Sequence, residues 1–195
     1  MRTFVTKLLG LFLVVLAAIA IGAAGSSQAA VVSYFANLSG PNESPPNASP
    51  GTGTGAVDVD ATAHTMHVHA VFSGLLGNTT ASHIHAPTAA PGTGTAGVAT
   101  TTPTFAGFPL GVMAGTYDIT LDMTQASSYN PSYVTANGGT TASAEAALFQ
   151  AIADGKAYLN IHSNVFPGGE IRGFLIPLAT PTTATSWGRI KSLYR

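Results

Sequence analysis

The chain has 195 residues, no cysteine, 22 glycines and 12 prolines, and only 8% of its residues are charged. Of its 7 Lys and Arg, only Lys156 and Arg172 lie between the first apolar stretch and the last few residues, against all 8 acids. That balance excludes nucleic acid as a partner, because phosphate binding needs clustered cations. The lack of cysteine excludes thiol catalysis and disulfide stabilisation.

In chain order, Arg2 and Lys7 flank an apolar run over 8–21 that is shorter than the ~20 residues of a membrane span, followed by small residues ending at Ala29-Ala30. This reads as a secretory signal peptide over residues 1–30, so the protein is expected outside the cytoplasm, secreted or at the cell surface or in a periplasm. A lipid anchor is excluded for want of a cysteine, and no later stretch is apolar enough to span a membrane. Residues 31–178 then read as one domain. The segment 31–38 is rich in β-branched and aromatic residues and predicts a strand. Residues 40–54 are Pro/Gly punctuation. Segments 55–61, 65–75, 81–86, 96–100 and 115–123 predict further strands, several with alternating apolar and polar residues. On 65–75, Met66, Val68, Ala70 and Phe72 should face the core, leaving His67 and His69 solvated.

Residues 141–153 predict one short helix, with Thr141 or Ser143 as its cap and Gly155 as its stop. Strands 156–163 and 170–177 follow, joined by a turn at Phe166-Pro167-Gly168-Gly169. Seven or eight short strands with Pro/Gly turns and a single helix predict an all-β fold, an antiparallel Greek-key sandwich or barrel. Residues 179–195 differ from the body. A Pro/Thr linker leads to a basic, aromatic end containing Trp187, Arg189, Lys191, Tyr194 and Arg195. This tail reads either as a frayed terminus or as a sorting or surface-attachment segment.

The motifs Leu38-Ser39-Gly40 with Glu43 and Pro45-Pro46, Gly51-Thr52-Gly53, Ser73-Gly74-Leu75 and Ala81-Ser82-His83-Ile84-His85 occur in that order. They are followed by Tyr158-Leu159-Asn160-Ile161-His162 and Pro167-Gly168-Gly169-Glu170-Ile171-Arg172-Gly173. This series resembles the CHRD domain, named for chordin and common in exported bacterial proteins, over nearly the whole of residues 31–178. Ala86-Pro87 departs from the family pattern, which commonly has Gly just after the two histidines. The resemblance implies a non-enzymatic binding or structural module that meets an extracellular ligand or a surface component. Growth-factor antagonism does not carry over, because chordin's cysteine-rich modules are missing.

Chemistry concentrates in six histidines. Residues i and i+2 of a strand face the same side, so His67/His69 and His83/His85 each project two rings together. His83 and His85 with the distant His162 resemble, remotely, the copper side of copper/zinc superoxide dismutase. On that likeness the three converge as candidate ligands of copper or zinc. Between Pro87 and Tyr158 there is no histidine, so the zinc subsite of that enzyme is missing and no dismutase activity is expected. Two readings of the cluster stand: a hydrogen-bonded polar cluster that pins loops, and a three-His metal site with an open position. Asn160, Gly168, Gly169, Glu170 and Arg172 are the candidate supporting residues, with Glu170 and Arg172 expected to orient a ring or to form an internal ion pair. No catalytic residue is identified.

Overall fold

A computed structural model of the chain describes residues 31–178. The expected signal peptide and the C-terminal tail lie outside the described residues. Eight strands form one antiparallel sheet: β1 (Val32–Ser39), β2 (Thr52–Asp60), β3 (Thr65–Ser73), β4 (Thr79–His85), β5 (Gly115–Asp122), β6 (Tyr158–Ser163), β7 (Ile171–Phe174) and β8 (Ile176–Pro177). Their spatial order is β4-β6-β7-β1-β2-β3-β5, with β8 pairing β1. The sheet curls into a half-barrel, so the expected all-β antiparallel architecture is present.

Alternation decides which face is buried. Val57 pairs with Val68 across β2 and β3, and Ile84 with Leu159 across β4 and β6. These four are fully buried, together with Met66, Ile161 and Ile171. Two helices and the loop between β4 and β5 close over this concave face. The longer, α2 (Thr141–Ala153), turns Ala144, Leu148 and Ile152 inward. Its cap is Thr140, whose hydroxyl accepts from the Ser143 amide at 3.1 Å, with the Ser143 hydroxyl answering the Thr140 amide at 3.3 Å. The expected cap at Thr141 or Ser143 is therefore one to three residues late. Ser143 takes part as the reciprocal partner. Gly155 ends the helix with φ +67°, the left-handed conformation that glycine adopts without strain.

Two further differences have local causes. The expected strand 96–100 forms only isolated bridges, His85 to Val98 and Thr100 to Tyr129. The Thr100 hydroxyl takes the Ile84 amide at 2.9 Å, so a side chain occupies a place that a ladder would give to backbone. The helix α1 (Pro131–Ala136) was not expected. Asn130 caps it by accepting from the Ser132 amide at 3.0 Å, and Pro131 supplies the preset first residue. Among the described residues no helix is long and apolar enough to cross a membrane.

Candidate metal centre

The registers that bury Ile84, Leu159 and Ile161 put their neighbours on the convex face. There His83 pairs with Asn160 and Asn160 with Arg172, while His85 pairs with Tyr158 and Tyr158 with Phe174. His162 lies opposite Ala81 on the same face. The three histidines therefore meet outside the half-barrel, covered by loops. Ring centroids are 5.2 Å apart for His83 and His162, 5.7 Å for His83 and His85 and 5.9 Å for His85 and His162. One ring nitrogen from each lies within 4.8 Å of the others.

Each ring is tied to a different stretch of backbone. His83 Nε2–H donates to the Pro103 carbonyl at 2.5 Å, His85 Nδ1–H to the Ala96 carbonyl at 2.9 Å, and His162 Nδ1–H to the Pro167 carbonyl at 2.9 Å. A carbonyl only accepts, so these bonds fix the neutral tautomer of all three rings. The other nitrogens, His83 Nδ1, His85 Nε2 and His162 Nε2, are buried lone pairs without a hydrogen-bond partner. Burial, above all, holds each imidazole below its ordinary range, and for His85 the value falls to about 4, helped by His162, His83 and Arg172. All three are thus neutral near pH 7, the protonation state that a metal ligand needs.

The supporting residues divide. Arg172 belongs to the surroundings of the site: Nε donates to the Asn42 carbonyl at 2.6 Å and Nη1 to the Gly94 carbonyl at 3.1 Å. Its guanidinium lies 4.6 Å from the Tyr158 ring centroid, and that ring stacks on His85 at 4.8 Å with planes 4° apart. The expected pair with Glu170 is replaced by one with Glu43, at 3.8 Å. Glu170 is fully buried and touches none of the three rings through a hydrogen bond. It accepts instead from Ser49 Oγ at 2.7 Å and from the amides of Leu76 at 2.5 Å and Gly77 at 3.2 Å. Burial raises its proton affinity, but bonds from Ser163, Ser49, Leu76 and Gly77 outweigh that and hold it below the usual carboxylate range. Glu170 therefore acts as a loop anchor, and the reason lies in the amides that surround it.

Asn160 and Gly169 act together. A Cβ at Gly169, whose φ is +132°, would sit 2.6 Å from Asn160 Nδ2 and 2.7 Å from Glu43 Oε1. Glycine here lets the turn close over both polar side chains. Gly168 faces open space and contributes only to the turn, which the Gly169 amide closes on the Phe166 carbonyl at 3.1 Å.

The other histidines stand apart. His67 and His69 lie outward on β3, 37% and 39% exposed, where His67 Nε2 meets Asp118 at 2.5 Å and His69 Nδ1 meets it at 3.5 Å. They are solvated as expected, beside the acids of neighbouring strands. His64, at the β2–β3 turn with φ +54°, bonds Glu145 of α2 at 2.9 Å. Sequence reasoning gave no role to Tyr158 and Glu43. Tyr158 was open to detection, since it shares the strand face of Asn160 and His162, whereas Glu43 reaches the site from a loop, where no periodicity applies.

An antiparallel half-barrel with a loop-covered histidine triad on its convex face defines the class of protein. The chain belongs to the CHRD domain family, whose model matches residues 34–175. Comparison with curated proteins and with solved structures gave no significant match.

Proposed function

We propose that this CHRD domain is an extracytoplasmic metal-binding module, using His83, His85 and His162 to hold one copper or zinc ion. One observation carries the reading: three imidazoles meet with one ring nitrogen of each within 4.8 Å of the others, and each ring keeps a buried nitrogen without a partner, opposite a fixed N–H bond. An unsatisfied buried polar atom costs ~1–3 kcal/mol, and three in one place favour a shared partner over three separate losses. Copper and zinc fit the donor set, because both accept neutral imidazole. Metal–nitrogen bonds of about 2 Å put the ligands of one ion at most ~4 Å apart, close to the present spacing of within 4.8 Å. The carbonyls of Ala96, Pro103 and Pro167 play the orienting part that outer hydrogen-bond partners of metal-bound histidines usually play.

The reading is one of binding and not of catalysis, and it narrows the broader expectation of an extracellular binding or structural module. It includes export by residues 1–30 and, as the means of attachment to a surface, the basic tail from residue 179. Deleting residues 186–195 should change where the protein resides without lowering its melting temperature, and unchanged localisation overturns the role of the tail. For the site, protein dialysed against copper or zinc and then against metal-free buffer should retain about one ion per chain. A His83→Ala/His85→Ala/His162→Ala variant should retain none at this site. Equal retention by the two proteins sinks the metal reading and leaves a loop-pinning polar cluster.

A further inference from the structure

Resting on the metal-binding reading, we propose that the ion this site prefers is monovalent copper, Cu(I), over Zn(II) and Cu(II). The donors supply no charge. Each imidazole is a neutral donor, with its one N–H committed to a carbonyl and the opposite nitrogen left as a lone pair, and among the described residues the group of potential ligands contains the three histidines and no carboxylate. The whole charge of the ion therefore stays in the site.

That charge is poorly screened. His83 and His85 are 7% and 8% exposed. The desolvation cost of an ion grows with the square of its charge, so a divalent ion loses about four times as much hydration as a monovalent one of equal size. The fixed charge nearby makes the difference larger. Arg172 lies one aromatic ring from His85, stacked through Tyr158, and repels a doubly charged ion twice as strongly as a singly charged one. Glu43, 3.8 Å from Arg172, is the acid placed to offset it. Burial raises the Glu43 carboxyl to about 7, so near neutrality it is ionised only part of the time.

Coordination number points the same way. Cu(I) is satisfied by two or three nitrogen donors, whereas Zn(II) normally takes four ligands and here must draw a fourth from solvent. A preference for Zn(II) over Cu(I) would therefore contradict both the charge and the coordination arguments.

The test uses the metal-free wild-type protein and the triple-alanine variant. Cu(I) affinity is measured without oxygen, under ascorbate, by competition with a chromophoric Cu(I) chelator. Zn(II) and Cu(II) affinities are measured by competition with chelators suited to each. Expected is Cu(I) binding at least ~100-fold tighter than Zn(II), and a bound-copper reduction potential shifted positive by about 59 mV for each tenfold preference for Cu(I) over Cu(II). Zn(II) or Cu(II) binding as tightly as Cu(I) overturns this inference and leaves the metal reading standing. Binding of every ion no better than by the variant overturns both.

Discussion

Acid should weaken the metal-free domain through the same histidines that make the site. An imidazole ordinarily takes up its proton at about pH 6.5. In the folded chain burial holds His83, His85 and His162 below that, His85 to about 4. As pH falls between those limits the unfolded chain binds protons that the folded chain refuses, so stability declines. For His85 alone the gap of about 2.5 units corresponds to ~3 kcal/mol, a large share of the ~5–15 kcal/mol that holds a domain together. Glu43 opposes this. Its carboxyl is raised to about 7 by burial, against the lowering pull of Arg172, so its contribution is present at low pH and lost as pH rises through 7. The surface pair of His67 and Asp118 also titrates, but solvent and salt screen it. A Glu43→Gln substitution removes the main opposing effect. Urea midpoints of metal-free Glu43→Gln protein should fall steadily from pH 7.5 to 4.5, and a further His85→Gln change should flatten that fall. A Glu43→Gln midpoint that is unchanged or higher at pH 4.5 refutes the reasoning, because it would mean that the three imidazoles are not buried in their neutral form.

Glu170→Ala should cost ~2–4 kcal/mol, since it strands the buried amides of Leu76 and Gly77 and the hydroxyl of Ser49; chemical denaturation reads this directly. Gly169→Ala should cost ~2–3 kcal/mol, from a Cβ driven against Asn160 and Glu43 at a positive φ. Gly168→Ala, one residue earlier and facing open space, should stay within about 0.5 kcal/mol, so equal effects at the two glycines contradict the packing described for this turn. Thr140→Ala should lose ~1 kcal/mol by uncapping α2, while Thr141→Ala should lose much less; thermal melts of the pair distinguish the two candidate caps.

Much of this fold was legible because strands advertise themselves by alternation. Met66, Val68, Ala70 and Phe72 against His67 and His69 gave the inner face of β3 without ambiguity. The same rule puts both His-x-His pairs on the convex side, and there its power ends. His67/His69 is solvated and His83/His85 is covered because loops differ, and loops have no period. The residues that finish the site, Ala96, Pro103 and Pro167, contribute main-chain carbonyls, which leave no trace in side-chain identity. Glu170 shows the converse. Its place beside Arg172 in the motif suggested an ion pair, yet backbone and hydroxyl donors claimed it first, and Arg172 met Glu43 from a distant loop. The short helix α1 had a readable signal in Asn130-Pro131, but six residues are too few to show a helical period.

The three imidazoles also bear on how a domain without cysteine is held together. Through their N–H groups they tie β4 to two points of the long loop that follows it, at Ala96 and Pro103, and β6 to the turn at Pro167. An ion on the three free nitrogens would join these ties at one point and cross-link segments far apart in sequence, which is the structural service disulfides render elsewhere. An ion that binds the folded chain and not the unfolded one would stabilise it according to its free concentration, by ~4 kcal/mol at a thousand times Kd. The wild-type melting temperature should therefore climb with added ion, and amide exchange should slow most around residues 96–103, which hang on His83 and His85. The triple-alanine variant should show neither change. A melting temperature indifferent to saturating ion, in protein that demonstrably retains it, would mean that the metal sits on a scaffold already complete and contributes nothing as a staple.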